Sequence, residues 1–502
     1  MITLNILIKG LDDERFVRPL QLISDLFFEE SFVTFEEEKE AEYKILFAIK
    51  TDDKVSVEGT ISESGNEKTF SASFENKFEE ESEKERFKIV KRTVSYVYLM
   101  LLQHITEIEQ PWGILTGIRP TKLLHNKLRE GMTKEQAHEE LRRDYLITDE
   151  KIQLMQRIVD RQLSIVPDLY ELKKEVSIYI GIPFCPTKCA YCTFPAYAIN
   201  GRQGSVDSFL GGLHYEMRKV GAWLTEQNIP ITTIYYGGGT PTSITALEMD
   251  MLYEEMYEAF PNLKSVREVT VEAGRPDTIS EDKLDVLNKW NIDRISINPQ
   301  SYTQETLKAI GRHHTVEETI DKFHLARSLG MKNINMDLII GLPGEGTAEF
   351  QHTLEETKKL LPESLTVHTL SFKRASEMTK NKQRYRVADR DEITEMMKMA
   401  ENWTNENGYE PYYLYRQKNI LGNLENVGYA FKGQESIYNI MIMEEQQSII
   451  GLGCGASSKF VDPTTGKITR FANPKDPKSY NDSYEHYTDE KIRLLHELFD
   501  RK

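Results

Sequence analysis

The feature that most constrains this chain is a group of cysteines directly after a short apolar run. Three of its four cysteines, Cys185, Cys189 and Cys192, follow residues 177–182 with the spacing C-x3-C-x2-C. Thiolates so spaced on a loop that leaves a strand can converge on one metal centre, and soft sulfur ligands favour zinc, copper(I) or an iron–sulfur cluster. Structural zinc needs four protein ligands, and no other Cys or His lies close by in the sequence. The spacing therefore favours a [4Fe-4S] cluster with one iron free for a substrate or cofactor; zinc or three buried core cysteines are the alternatives.

Length and charge limit what surrounds this motif. The chain has 502 residues, too many for one ordinary core, and its formal net charge of -17 argues against nucleic acid or an anionic membrane as partner. We predict three domains, over residues 1–170, 171–375 and 376–502. An iron–sulfur site needs reduced thiols, and the sequence contains neither a signal peptide nor an apolar run of about 18 residues. We therefore expect a cytoplasmic protein without a membrane span.

An α/β pattern begins at the cysteine motif. Strand-like runs alternate with amphipathic helical stretches at intervals of roughly 30 residues, which is typical of βα units on a parallel sheet. Six strands are predicted, at residues 177–182, 232–237, 268–273, 294–298, 333–340 and 364–371. Helices are expected between them, for example at residues 206–224, 247–260 and 348–361. Because parallel βα folds bind ligands at the carboxyl ends of their strands, residues at those ends are the first candidates for function.

The segment before this pattern reads as α+β. Alternating stretches at residues 55–61 and 69–74 flank a Ser-Gly-Asn turn and predict a hairpin, and an apolar helix is expected over residues 87–105. The irregular loop at residues 112–122 carries one aromatic residue and two cations. It is either a turn packed on the core or a site for substrate carboxylates.

Several predicted strands end in glycine-rich or polar sequences. The strand at residues 232–237 continues into Gly-Gly-Gly-Thr-Pro, where missing side chains and a permitted positive φ let the backbone approach a ligand. Glu272 ends the next strand, where its carboxylate can accept hydrogen bonds from an ammonium group or simply remain solvated. Asp337 interrupts an apolar run, and burying it is costly unless it is paired.

Together these motifs resemble those of radical S-adenosylmethionine (SAM) enzymes. C-x3-C-x2-C is their signature, and the preceding Tyr-x-x-Ile-Pro-Phe-Cys resembles the oxygen-independent coproporphyrinogen III dehydrogenase family, most closely its HemZ-type branch, over residues 177–460. The resemblance implies an α/β fold: a partial (β/α)6 radical SAM barrel at residues 171–375, with an N-terminal α+β domain and a C-terminal α+β extension. It also implies that the free iron binds the amino and carboxylate groups of SAM. An electron from the cluster then splits SAM into methionine and a 5'-deoxyadenosyl radical.

The resemblance assigns residues to the SAM site. It places the glycine-rich motif and Glu272 near the ammonium group, Arg312 near the carboxylate, and Gln300 and Asp337 near the ribose. Arg312 follows Gln300 by twelve residues, a spacing at which the family has its arginine in the next helix. Tyr191 matches an aromatic residue beside the third cysteine, in a family that can bind a second SAM. The complete implied set is Tyr179, Tyr191, Gly238, Gly239, Thr240, Glu272, Gln300, Arg312 and Asp337. His313 and His314 are interpreted as surface or near-site residues, because adjacent helical positions do not converge on one ion.

Two positions depart from the dehydrogenases. That family carries a histidine where this chain has Gly181 and a fourth cysteine where it has Phe194. A sister branch, the haem chaperones, shares the phenylalanine but is marked by His-Asn-x-x-Tyr-Trp, which residues 423–429 do not contain. The resemblance implies an enzyme of anaerobic porphyrin and haem synthesis that decarboxylates coproporphyrinogen III propionates, with flavodoxin or ferredoxin as electron donor. The alternatives are a tetrapyrrole-binding or haem-trafficking protein and a radical SAM enzyme with a different substrate.

A tetrapyrrole with several carboxylates requires local cations on an acidic chain. Tyr413, Tyr415 and Arg416 suit a flat carboxylated ligand and equally suit an edge strand. Cys454 lies in the glycine-rich run at residues 451–459, so we expect a small residue in a tight turn and not a cluster ligand. The candidate cations are Arg119, Lys122, Lys373, Arg374 and Arg416.

Overall fold

The computed structural model of the chain describes residues 4–28, 30–36, 41–65, 69–78, 82–117, 119–194, 196–199, 205–371, 376–380, 385, 388–417 and 420–499. The chain forms two compact units, Met1–Arg157 and Ile158–Lys502. Among the described helices, none combines the length and the apolar character needed to cross a bilayer.

The first unit contains a five-stranded sheet in the order β2-β1-β3-β4-β5. Its strands are β1 Leu4–Lys9, β2 Ser31–Thr34, β3 Tyr43–Thr51, β4 Lys54–Glu63 and β5 Thr69–Lys77. The predicted hairpin is present, since β4 and β5 pair antiparallel. Its helices are α1 Val17–Ser24, α2 Glu83–Thr106, α3 Pro120–Arg129 and α4 Lys134–Tyr145, and the chain passes into the second unit within α5 Asp149–Ile165. The Ser82 side chain caps α2, and Val94, Val97 and Leu101 on that helix are fully buried in the core of the unit.

The second unit contains an eleven-stranded sheet, which confirms the predicted α/β fold. The six predicted strands are present as neighbours in the order of the chain, and all are parallel. They are β6 Val176–Ile182, β9 Ile231–Gly238, β10 Glu268–Glu272, β11 Arg294–Ser296, β12 Ile334–Ile340 and β13 Ser364–Thr369. The helices that follow them are α6 Val206–Glu226, α7 Ala246–Ala259, α8 Glu281–Lys289, α9 Gln304–Ala309, α10 Val316–Ser328 and α11 Thr347–Leu360. A short pair, β7 Phe184–Cys185 and β8 Tyr197–Ala198, flanks the cysteine loop.

The sheet extends beyond the six predicted strands on both sides. On one side lie two antiparallel strands, β15 Asn426–Ala430 and the edge strand β14 Glu410–Tyr415. On the other side β16 Ser448–Gly453 pairs parallel with β6, followed by antiparallel β17 Ser457–Val461 and β18 Ile468–Ala472. The remaining helices are α12 Glu377–Lys380, α13 Arg390–Glu406, α14 Ile437–Glu444 and α15 Pro477–Phe499.

Strand β16 was not predicted, because its glycines were interpreted as part of a turn. The glycines serve a close approach to β6: a Cβ at Gly453, where φ is +84°, would lie 2.4 Å from the Gly181 carbonyl oxygen. Cys454 follows β16 in a turn, as expected, with its thiol 3.4 Å from the Pro474 carbonyl oxygen. Burial raises the pKa of Cys454 to about 12.

A buried ion pair joins helices α6 and α15. The Lys491 ammonium donates to the Glu216 carboxylate and to the Gly451 carbonyl oxygen, and both charged side chains are almost fully buried. Glu216 also accepts hydrogen bonds from the Gly453 N–H at 2.7 Å, the Tyr480 hydroxyl at 2.9 Å and the Asn473 amide at 2.9 Å. These partners replace the water that the carboxylate loses on burial, and they fix the end of β16 beside β6.

Candidate functional site

One face of the parallel sheet is polar towards the carboxyl ends of its strands. Tyr179 on β6 lies beside Tyr235 on β9, and Asp337 on β12 lies beside Thr366 on β13. Side chains of alternating residues on the opposite face, for example Ile180 and Leu338, are completely buried. By contrast, Asp337 keeps 23% of its side-chain surface exposed and His368 on β13 keeps 25%. A polar face that stays accessible at the carboxyl ends of parallel strands is the expected position of a ligand site.

The cysteine loop is fixed to the neighbouring elements by backbone contacts. The Ala190 N–H donates to the Ile310 carbonyl at 2.9 Å, and the Ala190 carbonyl accepts from the Met378 N–H at 3.0 Å. The Thr187 hydroxyl donates to the Gly311 carbonyl at 3.2 Å. The loop that carries the predicted ligands is therefore positioned by the protein itself.

All three cysteines of this loop are half-buried thiols. The Cys185 sulfur lies 3.3 Å from the Thr240 hydroxyl oxygen, and an Arg275 nitrogen lies 3.8 Å from the Cys189 sulfur. Burial raises the pKa of Cys185 to about 11, and the proximity of Cys192 and Cys189 contributes to the rise. Metal binding lowers the pKa of a cysteine thiol, because the sulfur binds the metal as a thiolate.

The donor set matches three-cysteine coordination of an iron–sulfur cluster. Within the described part of the chain, no group of three His, Cys, Asp or Glu side chains is already arranged as metal ligands. The chemistry of the site nevertheless suits the cluster: three soft thiols on one positioned loop, with a guanidinium in contact with one of them. Cluster ligation by Cys185, Cys189 and Cys192 remains a prediction.

The glycine-rich motif brings the end of β9 against the end of β6. The Gly239 and Thr240 N–H groups donate to the Ile182 and Phe184 carbonyls, both at 2.7 Å. Gly238 has φ +105°, where side chains are disfavoured, and a Cβ at Gly239 would lie 2.5 Å from the Phe184 carbonyl oxygen. The two N–H groups are therefore engaged within the chain, and glycine is required for the close approach.

Glu272 lies beside this motif with its carboxylate accepting from the Tyr235 hydroxyl. Burial raises the pKa of Glu272 to about 7, the hydrogen bond from Tyr235 opposes the rise, and the charge of Asp337 adds to it. A buried carboxyl with few donors is suited to accept a cationic ligand, because the cation supplies the missing charge compensation.

Asp337 is held by three neighbouring side chains. Its carboxylate accepts from the Asn298 amide at 3.0 Å and the Asn335 amide at 2.9 Å, and His368 Nε2 lies 3.4 Å away. Burial acts to raise the pKa of Asp337, but His368 and the amide donors outweigh it and hold the pKa below its usual value. His368 Nδ1 lies 3.1 Å from the Tyr415 hydroxyl. Sequence reasoning missed His368, although it occupies an inward position of a predicted strand.

Gln300 and Arg312 are both buried next to these strand ends. Gln300 has φ +66°, and its Oε1 has no hydrogen-bond partner in the structure. An Arg312 Nη1 donates to the Asn298 carbonyl at 2.8 Å and to the Gly274 carbonyl at 3.2 Å, while its Nε is unpartnered. The guanidinium thus braces two strand ends and retains donor capacity.

Arg312 is not in a helix, contrary to the sequence expectation. It lies in the segment between α9 and α10, because Gly311 has φ +76°, a left-handed conformation that ends a helix. The adjacent histidines are outside a helix as well: His313 is exposed, whereas His314 is buried and its pKa falls to about 3 because burial disfavours the imidazolium. His314 is therefore a neutral side chain inside the protein and not a surface residue.

Aromatic rings line the other side of the site. The rings of Tyr179 and Tyr235 stack with centroids 6.2 Å apart, and Tyr438 from α14 stacks on Tyr235 at 4.3 Å. The Tyr438 hydroxyl is buried without a partner. Tyr191, beside the third cysteine, is close to Arg312, and burial raises the pKa of this tyrosine. The sequence did not identify Tyr438 as a site residue, because Tyr438 lies on a helix far from the other site residues in the chain.

The predicted substrate cations lie in different surroundings. Arg119 and Lys122 belong to the first unit, and Lys373 and Arg374 lie outside the described residues. Arg416 is buried, and its guanidinium donates to Asn423. Tyr413 and Tyr415 are on β14, the edge strand that was one of the two alternatives.

The fold and the site together define a class of protein, and comparison with known proteins agrees. Residues 179–357 match the Radical SAM superfamily. The solved structure of coproporphyrinogen III oxidase (HemN) from Escherichia coli shares the fold with a TM-score of 0.51 at 20% identity, covering 68% of this chain and 74% of that one. Membership of this superfamily implies a [4Fe-4S] cluster and SAM as cofactors.

Two relatives show to which family within the superfamily the chain belongs. The oxygen-independent coproporphyrinogen-III oxidase-like protein HemZ of Bacillus subtilis is 67% identical over 499 residues, which is 99% of each chain. The heme chaperone HemW of the same organism is 29% identical over 63% of this chain and 80% of its own. The chain belongs to the radical SAM superfamily and, within it, to the oxygen-independent coproporphyrinogen-III oxidase-like family of HemZ type.

Proposed function

We propose that this chain is a radical SAM oxidoreductase of anaerobic porphyrin synthesis. It removes carbon dioxide from propionate side chains of a coproporphyrinogen-type tetrapyrrole and leaves vinyl groups; each propionate gives a hydrogen atom to the 5'-deoxyadenosyl radical and one electron to an external one-electron acceptor. The observation that carries the proposal is the 67% identity over nearly the whole chain to a protein named coproporphyrinogen-III oxidase-like. The accessible polar face beside the cysteine loop supports it, since a carboxylated substrate needs polar partners close to the reacting centre.

Different residues of the site hold the cluster and bind SAM. When bound, the cluster and SAM supply an electron and a 5'-deoxyadenosyl radical that takes a hydrogen atom from the substrate. Cys185, Cys189 and Cys192 hold the cluster. Glu272 accepts hydrogen bonds from the amino group of SAM, because no cation among the described residues pairs with its carboxylate, and Asp337 binds the ribose with an orientation fixed by its amide donors.

Further roles belong to the side chains around these two acids. Arg312 offers its unpartnered Nε to the carboxylate of SAM, and Gln300 offers its unpartnered Oε1 to a ribose hydroxyl. The stacked rings of Tyr179, Tyr235 and Tyr438 keep water away from the acids. A flavodoxin or ferredoxin is the proposed electron donor.

The test uses the full chain, reconstituted with iron and sulfide and reduced without oxygen. The protein is incubated with SAM and coproporphyrinogen III, and 5'-deoxyadenosine, carbon dioxide and protoporphyrinogen are followed. We expect all three products, and Cys189→Ser as the matched control should give none. Absence of 5'-deoxyadenosine from a reduced, cluster-loaded protein would exclude radical chemistry. Formation of 5'-deoxyadenosine without carbon dioxide would reject this substrate.

A second candidate is haem or tetrapyrrole trafficking, and two positions favour it. Phe194, where the dehydrogenases have a cysteine, is 56% exposed. A Cβ at Gly181 would lie 3.0 Å from the Cys454 carbonyl oxygen and 3.4 Å from the Ala456 Cβ, so a histidine at this position requires movement of the turn after β16. Haem binding is therefore measured in parallel. Stoichiometric haem uptake without decarboxylation would favour trafficking.

A further inference from the structure

A buried arginine that lies outside the cysteine loop contacts one of the loop's sulfur atoms. Arg275 follows β10 in the sequence Glu-Ala-Gly-Arg-Pro, and only 3% of its surface is exposed. Its Nη1 lies 3.8 Å from the Cys189 sulfur, and the same nitrogen donates to the Thr187 carbonyl at 3.2 Å and the Thr187 hydroxyl at 3.1 Å. One end of the guanidinium is thus directed at the cluster loop.

The other end of the guanidinium is bound by a carboxylate. Arg275 Nε donates to Asp277 Oδ1 at 3.0 Å, and its Nη2 donates to Asp277 Oδ2 at 2.8 Å. This two-point pairing fixes the plane of the guanidinium and partly compensates its charge. Because Asp277 occupies Nε and Nη2, Arg275 is not placed to bind the carboxylate of SAM, and its Nη1 contacts Thr187 and the Cys189 sulfur.

We propose that Arg275 is a positioning residue that sets the reduction potential of the cluster through Cys189, and that Asp277 limits its effect. Hydrogen bonds to the sulfur ligands, net charge and solvent exposure are the levers by which a protein sets the potential of an iron–sulfur cluster. The cluster gains one negative charge when it accepts one electron from an external reductant, so a cation at its ligand stabilises the reduced form. Burial strengthens this effect, because the field between buried charges is screened less than at the surface.

The inference rests on cluster ligation by the three cysteines and not on the identity of the substrate. Arg312 also lies near Cys189. It belongs to the proposed SAM site, however, and no carboxylate among the described residues forms an ion pair with it. The Arg275 and Asp277 pair offers two substitutions that change the local charge in opposite directions. A purely structural role of this pair would not shift the reduction potential of the cluster in opposite directions in the two variants.

The experiment is an anaerobic potentiometric titration of the reconstituted full chain without SAM, with the reduced cluster followed by electron paramagnetic resonance. For Arg275→Gln we expect the ratio of reduced to oxidised cluster at a fixed potential to fall about tenfold, which is about 59 mV for a one-electron couple. For Asp277→Asn the ratio should rise, because the guanidinium loses its compensating charge. Arg275→Lys should fall between Arg275→Gln and the parent.

A matched pair at the other end of the same strand is the control. Arg267 binds Asp168 through two nitrogens at 2.8 Å and 2.5 Å, and it precedes β10, whose five residues span about 17 Å, whereas Arg275 lies beyond the other end of the strand. Arg267→Gln should leave the potential unchanged, because this distance exceeds the screening length in ordinary buffer. An unchanged potential in Arg275→Gln, or shifts of the same sign in Arg275→Gln and Asp277→Asn, would overturn the inference.

Loss of the cluster is distinguished from a change in potential by the iron content of each variant. If Arg275→Gln assembles no cluster, the sign of the shift in Asp277→Asn decides the question. A parent chain that assembles no cluster overturns the proposed function and this inference together. A parent with a cluster but without decarboxylation leaves the titration fully interpretable.

Discussion

His368 Nε2 lies 3.4 Å from Asp337 Oδ2, and the other ring nitrogen of the same histidine lies 3.1 Å from the Tyr415 hydroxyl. The three side chains come from β12, β13 and β14, so the contact depends on an antiparallel strand that follows the parallel core. A carboxylate fixed by an imidazole and two amides presents its remaining lone pairs in one direction. His368 therefore orients Asp337 for the proposed ribose contact.

The first prediction concerns this histidine. His368→Leu should weaken SAM binding about tenfold, since a hydrogen bond to a charged group contributes about 1.5–3 kcal/mol and part of it is lost with the orientation of Asp337. Tyr415→Phe should weaken it less, because Asp337 keeps its imidazole neighbour. Anaerobic calorimetry with SAM on the cluster-loaded protein provides the measurement. Unchanged affinity in His368→Leu would contradict this role.

The second prediction is a pH dependence that arises from Glu272. With a pKa of about 7, Glu272 is mostly ionised at pH 8 and mostly protonated at pH 6. If the ionised form binds the amino group of SAM, the apparent affinity falls roughly tenfold between pH 8 and pH 6, in proportion to the ionised fraction. The sign follows from the ligand: the N–H donors of the amino group bind the carboxylate and lower its pKa.

Glu272→Gln is the control for that dependence. SAM carries an amino group that titrates near pH 8, so protonation of the ligand also changes its affinity as the pH falls. The variant retains this titration of the ligand but lacks the carboxylate, so the difference between the two proteins isolates Glu272. Parallel pH profiles in parent and variant would show that Glu272 does not meet the ammonium.

A third prediction separates the four cysteines. Alanine at Cys185, Cys189 or Cys192 should abolish cluster assembly, whereas Cys454→Ala should retain about four irons per chain after anaerobic reconstitution. The thiol of Cys454 lies in the turn after β16 and donates to the Pro474 carbonyl, so it is already engaged outside the cysteine loop. Iron analysis and the visible absorption spectrum are the measurements. Zinc in place of iron in the reconstituted parent would reject the cluster.

The fourth prediction concerns the buried ion pair of α6 and α15. Lys491→Met leaves the Glu216 carboxylate buried without its cation, so the free energy of unfolding should fall by about 3–5 kcal/mol. The double substitution Glu216→Gln with Lys491→Met should recover most of this loss, because no charge remains buried. Urea unfolding followed by tryptophan fluorescence measures both.

An exposed pair on the same helix serves as control for that measurement. Arg493 is half-exposed and contacts Glu490 and Glu497 on the surface of α15. Arg493→Met should leave the midpoint of unfolding unchanged, since surface ion pairs contribute little. A destabilisation equal to that of Lys491→Met would show that the helix, and not the ion pair, is responsible.

Local features of the fold were predictable because local sequence determines them. Helices α6 and α7 agree with the predicted ranges within about two residues, since Ser205 and Thr245 cap them and their apolar faces repeat at the helical period. Asp337 was expected to be paired because a lone acid in an apolar strand is costly, and the structure supplies its partners.

Long-range features were not predictable in the same way. Strand β16 reads as a turn because glycine has low strand propensity, and only the closeness of Gly181 explains why Gly453 is needed there. His368 contacts Asp337 and Tyr415 on other strands, and Arg275 reaches the Cys189 sulfur from a different loop, so their sequence neighbours do not reveal these contacts. Tyr438 likewise reaches the site from α14, which is far in the sequence from its ring partner Tyr235 on β9.

The pairing of β16 with β6 has a consequence for synthesis on the ribosome. Ser177 at the start of the site strand and Gln447 just before β16 are in contact but 270 residues apart in the chain. At about 5–20 residues per second, the ribosome needs roughly 15 to 50 seconds to add that distance. During this interval the cysteine loop has emerged while one edge of its strand is still unpaired. If iron and sulfide are delivered after the chain is complete, the cluster assembles on a cysteine loop whose strand β6 is already paired on both edges.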